Sequence, residues 1–335
     1  MGMVIAVSHA SQIFPFLDFF EEVGAPIEST LERHKLPVSL LQHPEMWVST
    51  RSMARFVEDV ASRVGIDAPG WRVMSRSTEA MTAPLRSELS GCSTLLEALE
   101  KIVAGATYES TGLRFRLWWT NDSLFLCHRS SLEPETEGIG HFTVMRTAIL
   151  LSLVRHFTAP DWLPTDIAFA VDGPIETPIR EELSRTRVSI THDEGWLRLP
   201  RSILARPPRM RLPTPETSDR AEGEPPLDLV GALAELLRSS LASGGMTIRE
   251  AADLAGTSSR SLQRELARAG TSYRKVLGGV RLDRARELLS DPDRRILEVA
   301  IEAGFEDPAN FTRFFGSSTG TSPRDYRKAQ FEGRG

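Results

Sequence analysis

Apolar residues recur at helical spacing through the last third of the chain, the period of helices that bury one face. The pattern predicts seven short helices over 227–242, 247–255, 258–269, 272–289, 295–303, 307–318 and 322–330, an all-α domain. Within it, Thr247 and Glu250 stand as a capping box ahead of Ile248, Ala251, Ala252 and Ala255, and Gly256 can take the left-handed conformation that ends a helix. Ser258 then caps a second helix, on which Leu262 and Leu266 face inward while Arg260, Gln263 and Arg264 share the opposite face. Two helices about a tight glycine turn, with small residues at their crossing, predict a helix-turn-helix. Residues 296–315, "ILEVAIEAGFEDPANFTRFF", repeat the device. Ile296, Glu298, Val299, Ala300, Ala303 and Gly304 match Ile248, Glu250, Ala251, Ala252, Ala255 and Gly256. After a turn one residue longer, Asp307 caps, Pro308 takes the first helical position, and Phe311 and Phe315 replace the two leucines. The outward face is Ala309, Thr312 and Arg313, flanked by Asn310. Residues 272–289 read as a connecting helix, against which Gly278 and Gly279 weigh. Such a rod would hold the two second helices roughly 34 Å apart, one turn of DNA.

Upstream the period is mixed. Met53, Phe56, Val57, Val60 and Val64 fall at helical spacing, and Thr94 and Glu97 form a capping box before Leu99, Ile102 and Val103. "LRFRLWW" (113–119) alternates, and "SLFLCHR" follows a Thr-Asn-Asp turn, which predicts a β-hairpin. Further strands are expected at 167–171, 188–190 and 196–199, and "HFTVMRTAILLSLVRHF" (141–157) as a long, mostly buried helix. The expectation is an α+β domain over 1–205. Residues 206–226 hold six prolines among charged and small residues without apolar period, a semi-rigid linker signature. A DNA-binding domain over 227–335 completes the expected plan.

The formal net charge of −5 is uneven. From Leu227 onward 17 Lys and Arg stand against 15 Asp and Glu, +2, so a nucleic-acid surface here depends on local clustering. No apolar run approaches the roughly 20 residues of a membrane span, and the N-terminus lacks the build of a signal peptide; a cytoplasmic protein without membrane partner is expected. The two cysteines, Cys92 and Cys127, form no CxxC. Cys92 in "SGCSTL" is either a reactive thiol or a small buried hydrophobe, the latter being the commoner role. His141, His156 and His192 lack metal-ligand spacing, and no phosphate loop or GxSxG elbow occurs. Neither metal, cofactor nor enzymatic machinery is expected.

Arginine pairs with guanine and glutamine with adenine through two hydrogen bonds each, so Arg260, Gln263 and Arg264 are the residue types that read base edges. A solvated amphipathic face is the plainer alternative for either unit alone; the repeat favours readout. "SSRSLQREL" and "ILEVAIEAGFEDPANFTRFFGSSTGTSPRDYR" resemble the DNA-binding domain of the AraC/XylS family of transcription regulators. The resemblance implies base contacts from Arg260, Ser261, Gln263 and Arg264 and from Ala309, Asn310, Thr312 and Arg313, with Ser258 and Ser259 at phosphates. Ala309 stands where the family often has a polar residue and Gly316 where it often has lysine, which leaves second-unit readout mainly to Arg313. "LLQHPEMWVSTRSMARFVEDVASRVG", "STLLEALEKIVAGA" and "WLRLPRSILARPP" are similar to the α+β regulatory domain of ornithine-responsive regulators of this family, not to its cupin barrel. That implies a small-molecule effector, a homodimer and RNA polymerase as partner, the protein acting as an activator. Phe115, Trp118 and Trp119 are candidates to line an effector pocket with Arg146 as anion partner; core packing for the rings and solvation or a carbonyl for the arginine are the alternatives. Control by a protein partner, or an enzyme domain fused to a DNA-targeting module, are the other functions weighed.

Overall fold

The computed structural model describes residues 5–74, 89, 91–209, 225–226, 228–241 and 244–332. Two units result, one of Ala6–Pro225 and one made mainly of Pro226–Gly335. Most of the expected linker, residues 210–224, lies outside the described residues.

In the first unit β1 (Val7–His9) pairs antiparallel with β2 (Trp47–Ser49), and between them run α1 (Phe14–Glu22) and α2 (Ile27–Arg33). None of these four was expected from the sequence. Strands of three residues are too short for an alternation to show, and α1, "FPFLDFFEE", is apolar on too many sides for a period to stand out. Helix α3 (Thr50–Val64) begins where Ser49 accepts the Ser52 N–H and ends at left-handed Gly65. Helix α4 (Leu95–Glu109) begins at the expected box: the Thr94 hydroxyl accepts from Glu97 N at 3.3 Å and the Glu97 carboxylate from Ser93 N at 2.7 Å.

The hairpin forms from β3 (Leu113–Trp119) and β4 (Ser123–Ser130), closed by Thr120 N–H to Ser123 O at 2.9 Å. With β5 (Asp166–Ala170), β6 (Arg187–Thr191) and β7 (Gly195–Pro200) they make a five-stranded sheet in the order β3-β4-β7-β5-β6, antiparallel except for β5 with β6. Its inner face buries Leu124, Leu126, Ile167, Phe169, Leu197 and Leu199 completely. Short helices α6 (Thr177–Glu182) and α7 (Arg201–Leu204) flank β5 and β7, and α5 (Ile139–Phe157) packs on α3, β5 and β7. The α3–α5 approach requires glycine: at Gly138 φ is +74°, and a Cβ there would sit 2.0 Å from the Ala54 carbonyl oxygen.

The second unit is all helix: α8 (Leu229–Ser240), α9 (Ile248–Leu254), α10 (Ser259–Arg268), α11 (Tyr273–Leu289), α12 (Ile296–Glu302), α13 (Pro308–Thr319) and α14 (Pro323–Glu332). Helix α11 runs unbroken through Gly278 and Gly279 because Val276, Val280, Ala285, Leu288 and Leu289 anchor it, and a Cβ on Gly278 would already touch the Phe314 ring at 3.6 Å. Burial here outweighs the roughly 1 kcal/mol helix cost of each glycine.

Candidate nucleic-acid interface

The capping box of α9 is complete, the Thr247 backbone N–H meeting the Glu250 carboxylate at 2.8 Å and the Thr247 hydroxyl accepting from Glu250 N at 3.3 Å. Gly256 at φ +64° makes the turn. Ser258 caps α10 by accepting the Ser261 N–H at 3.2 Å, and its hydroxyl reaches that of Ser261 at 3.2 Å. Leu262 and Leu266 are fully buried, which turns Arg260, Gln263 and Arg264 to solvent. Arg260 and Gln263 have no hydrogen-bond partner among the described residues. Arg264 lies 3.6 Å from Glu265, whose carboxylate also holds Arg268 at 2.7 Å.

The second unit has the same frame and a different filling. Glu298 caps α12 through the Arg295 N–H at 3.1 Å, and Gly304 turns the chain at φ +80°. Asp307 accepts the Ala309 N–H at 2.9 Å to begin α13. Phe311 and Phe315 are fully buried among Ala285, Leu289, Val299, Ala300 and Ala303, with the Phe305 ring 5.4 Å from Phe311 and the Tyr326 ring 5.2 Å from Phe315. Ala309, Asn310, Thr312 and Arg313 are exposed. Their polar groups are occupied within the helix: Arg313 Nη2 donates to Asn310 Oδ1, and the Thr312 hydroxyl to Pro308 O at 3.0 Å.

Helix α11 touches both devices. At its start Tyr273 donates its hydroxyl to the Met246 carbonyl, just ahead of α9; burial pushes that phenol up to about 12. Two turns on, Arg281 donates to Gly304 O at 2.7 Å and lies over the Phe305 ring at 4.7 Å. Sequence reasoning passed over Arg281, because nothing in "GGVRLDRARELL" separates an arginine that grips a turn from the solvated ones beside it. The device is polar, and the two turn geometries are thereby tied to one rod.

In the first unit the candidate effector residues part company. Phe115 is half-buried on the inner face, its ring 6.1 Å from His128. Trp118 is on the outer face, 51% exposed, and lies 5.1 Å from Phe125, itself 5.3 Å from Trp196. Trp119 is also exposed, under the Arg201 guanidinium at 5.0 Å. Strand alternation alone puts Trp118 opposite Phe115, so the three rings do not share a pocket, and neither tryptophan is packed in the core. Arg146 is neither solvated nor bonded to a carbonyl: it stands on α5, and its Nη1 is closed to solvent without a partner. Burial lowers this guanidinium to about 10. His128 is pushed down to about 3 by burial and then by the charge of Arg146, and is neutral. Cys92 and Cys127 are buried and free; burial raises both thiols, Cys127 to about 11, the opposite of an activated nucleophile. His141 bonds Glu58 at 2.9 Å. Among the described residues no group of three or more His, Cys, Asp and Glu is placed to hold a metal ion, and no helix is long and apolar enough to cross a membrane.

A family model described as the arabinose-binding domain of AraC transcription regulators, N-terminal, matches residues 24–208, more than half of the chain. The chain belongs to the AraC family of transcription regulators. A helix-turn-helix domain model matches residues 251–329 of this AraC-family protein, covering both devices. The ornithine utilization regulator of Pseudomonas aeruginosa is 33% identical over 171 residues, 49% of this chain and 50% of that one. The transcriptional activator NphR of a Rhodococcus species is 34% identical over 93 residues, 28% of each chain. The matches thus span about half, or less, of the length of these curated relatives. Among solved structures, the transcriptional regulator CdpR from Pseudomonas aeruginosa covers 92% of this chain at 20% identity with a TM-score of 0.35.

Proposed function

We propose that this AraC-family protein is a small-molecule-responsive activator that reads two adjacent major-groove segments of double-stranded DNA. The observation that carries the proposal is the repeat: two helix-turn-helix devices on one continuous helix, each turning a helix with exposed polar side chains to solvent. In this reading residues 227–335 bind DNA, residues 1–205 bind the effector and pair two copies of the chain, and residues 206–226 link them. Arg260, Ser261, Gln263 and Arg264 read bases from α10, Ser258 and Ser259 hold phosphates, and Ala309, Asn310, Thr312 and Arg313 face the second segment. Activation in the cytoplasm through RNA polymerase follows from the same reading, which the names of the ornithine utilization regulator and NphR support. Nothing in the reading requires catalysis.

The test is selection of double-stranded DNA from a random pool by the full chain. The expected product is a site with two blocks of fixed bases about one helical turn, roughly 10.5 base pairs, apart. Recovery of sequences without any common block, bound with only a steep salt dependence, would mark non-specific phosphate binding and overturn the proposal.

A further inference from the structure

Arginines of the first unit that approach its interior have acceptors. Arg155 donates to Trp162 O at 3.1 Å and to Glu182 at 3.2 Å, Arg180 to Ile175 O at 2.8 Å, and Arg198 to Asp166 at 3.0 Å and Asp122 at 2.7 Å. Arg146 is different. It stands midway along α5, and the residues one turn away on its face, Phe142, Thr143 and Leu150, are all buried. Its Nη1 has neither solvent nor acceptor, and no carboxylate among the described residues pairs with it. A buried charge without a counter-charge is among the costliest arrangements a core can hold, so its presence points to a partner that comes from outside the chain.

The surroundings narrow the chemistry of that partner. The Thr147 hydroxyl donates to Thr143 O at 2.9 Å, so its oxygen accepts the His128 Nε2–H at 3.1 Å. Those donors are spent, which leaves the guanidinium as the one free donor group identified there. One positive charge with a planar fork matches a monocarboxylate gripped by two parallel hydrogen bonds; a phosphate calls for more charge and more donors. A surface pocket lined by His128, Thr143, Ile139, Ser130 and Ala170 opens within one helical turn of Arg146 and offers a route to it.

We propose that Arg146 is the anchor of a buried carboxylate-binding site, and that the effector of this regulator is a small organic acid held by its carboxylate. The proposal rests on the ligand-responsive reading above and names the ligand's chemical class.

The test uses the full chain and thermal unfolding in chloride buffer, with sodium acetate as the carboxylate probe and acetamide and sodium phosphate at matched ionic strength as comparisons. Acetate is expected to raise the wild-type Tm saturably, by roughly 3–6 °C at tenfold excess over its dissociation constant. Acetamide and phosphate leave it in place. In Arg146→Met the acetate shift disappears, and the Tm without acetate is equal to or above wild type, because an unpaired buried charge has gone. Arg146→Lys keeps the charge without the fork and needs at least about fivefold more acetate for the same shift. The proposal is overturned if wild type gives no acetate shift, if phosphate or acetamide reproduces it, or if Arg146→Met either retains it or lowers the resting Tm. The same samples are assayed on the DNA selected above. A missing acetate shift with selective DNA binding intact removes the carboxylate site alone, whereas loss of selective DNA binding removes the regulator reading.

Discussion

Two helix-turn-helix devices with one backbone plan have been filled in opposite ways. In the first, a leucine pair seats α10 against small residues of α9, and Arg260 and Gln263 extend from it without an intramolecular partner. In the second, aromatic rings from α12 to α14 fix α13, and its arginine and threonine are bonded within their own helix. The difference teaches that positioning and reading are separable tasks. Side chains without partners on a rigid frame are available to base edges, whereas pre-bonded side chains must exchange one hydrogen bond for another and gain less. The first device is built to read and the second to seat.

The largest effect that sharpens this comparison is on stability. Phe311→Ala empties a fully buried aromatic position, and a loss of about 3–5 kcal/mol is expected in chemical denaturation. A loss under about 1 kcal/mol would show that the second device does not depend on its aromatic core. Next comes Gly304→Ala, where φ is +80° and a Cβ would meet Leu241 at 2.9 Å; the strain and contact together are expected to cost about 2 kcal/mol in the same measurement. Arg264→Ala is expected to weaken binding to the selected site by about 1–3 kcal/mol and to relax preference at one base pair. Equal weakening on every sequence would assign Arg264 to a phosphate instead. Asn310→Ala releases Arg313 from its partner, and a change in DNA affinity of under about 1 kcal/mol is expected. If it matched Arg264→Ala, the contrast between reader and seat would break. Smallest is Gly279→Ala, in helix with open space around the missing Cβ, expected to stabilise the domain by about 0.5–1 kcal/mol without altering DNA binding.

How much of this the sequence revealed depends on how local the determining forces are. Caps and turns act within four residues, so Thr247 with Glu250, Thr94 with Glu97, and the glycines at 256 and 304 could be placed from the chain alone. The outward set on α10 follows from Leu262 and Leu266 by helix period. What packs on what is not local. Gly278 and Gly279 argued against a helix that tertiary contacts impose, and Trp118 and Trp119 looked like interior residues although the outer sheet face leaves them exposed. The α1–α2 segment had too little period to be recognised. Arg146 shows the limit most clearly: its position in a buried helix was legible, but the lack of any acceptor around it is a property of every element packed against α5.

Helix α11 has a consequence for the DNA as well as for the protein. Tyr273 at one end and Arg281 midway fasten it to the entrance of the first device and to the turn of the second. Adding one residue between them would swing the second reader by about 100° and advance it about 1.5 Å. No side-chain adjustment repairs such a phase error. The spacing of the two half-messages is therefore written into the length of a single helix: an operator can change its letters gradually, but one inserted base pair between the blocks leaves the protein able to hold only one of them.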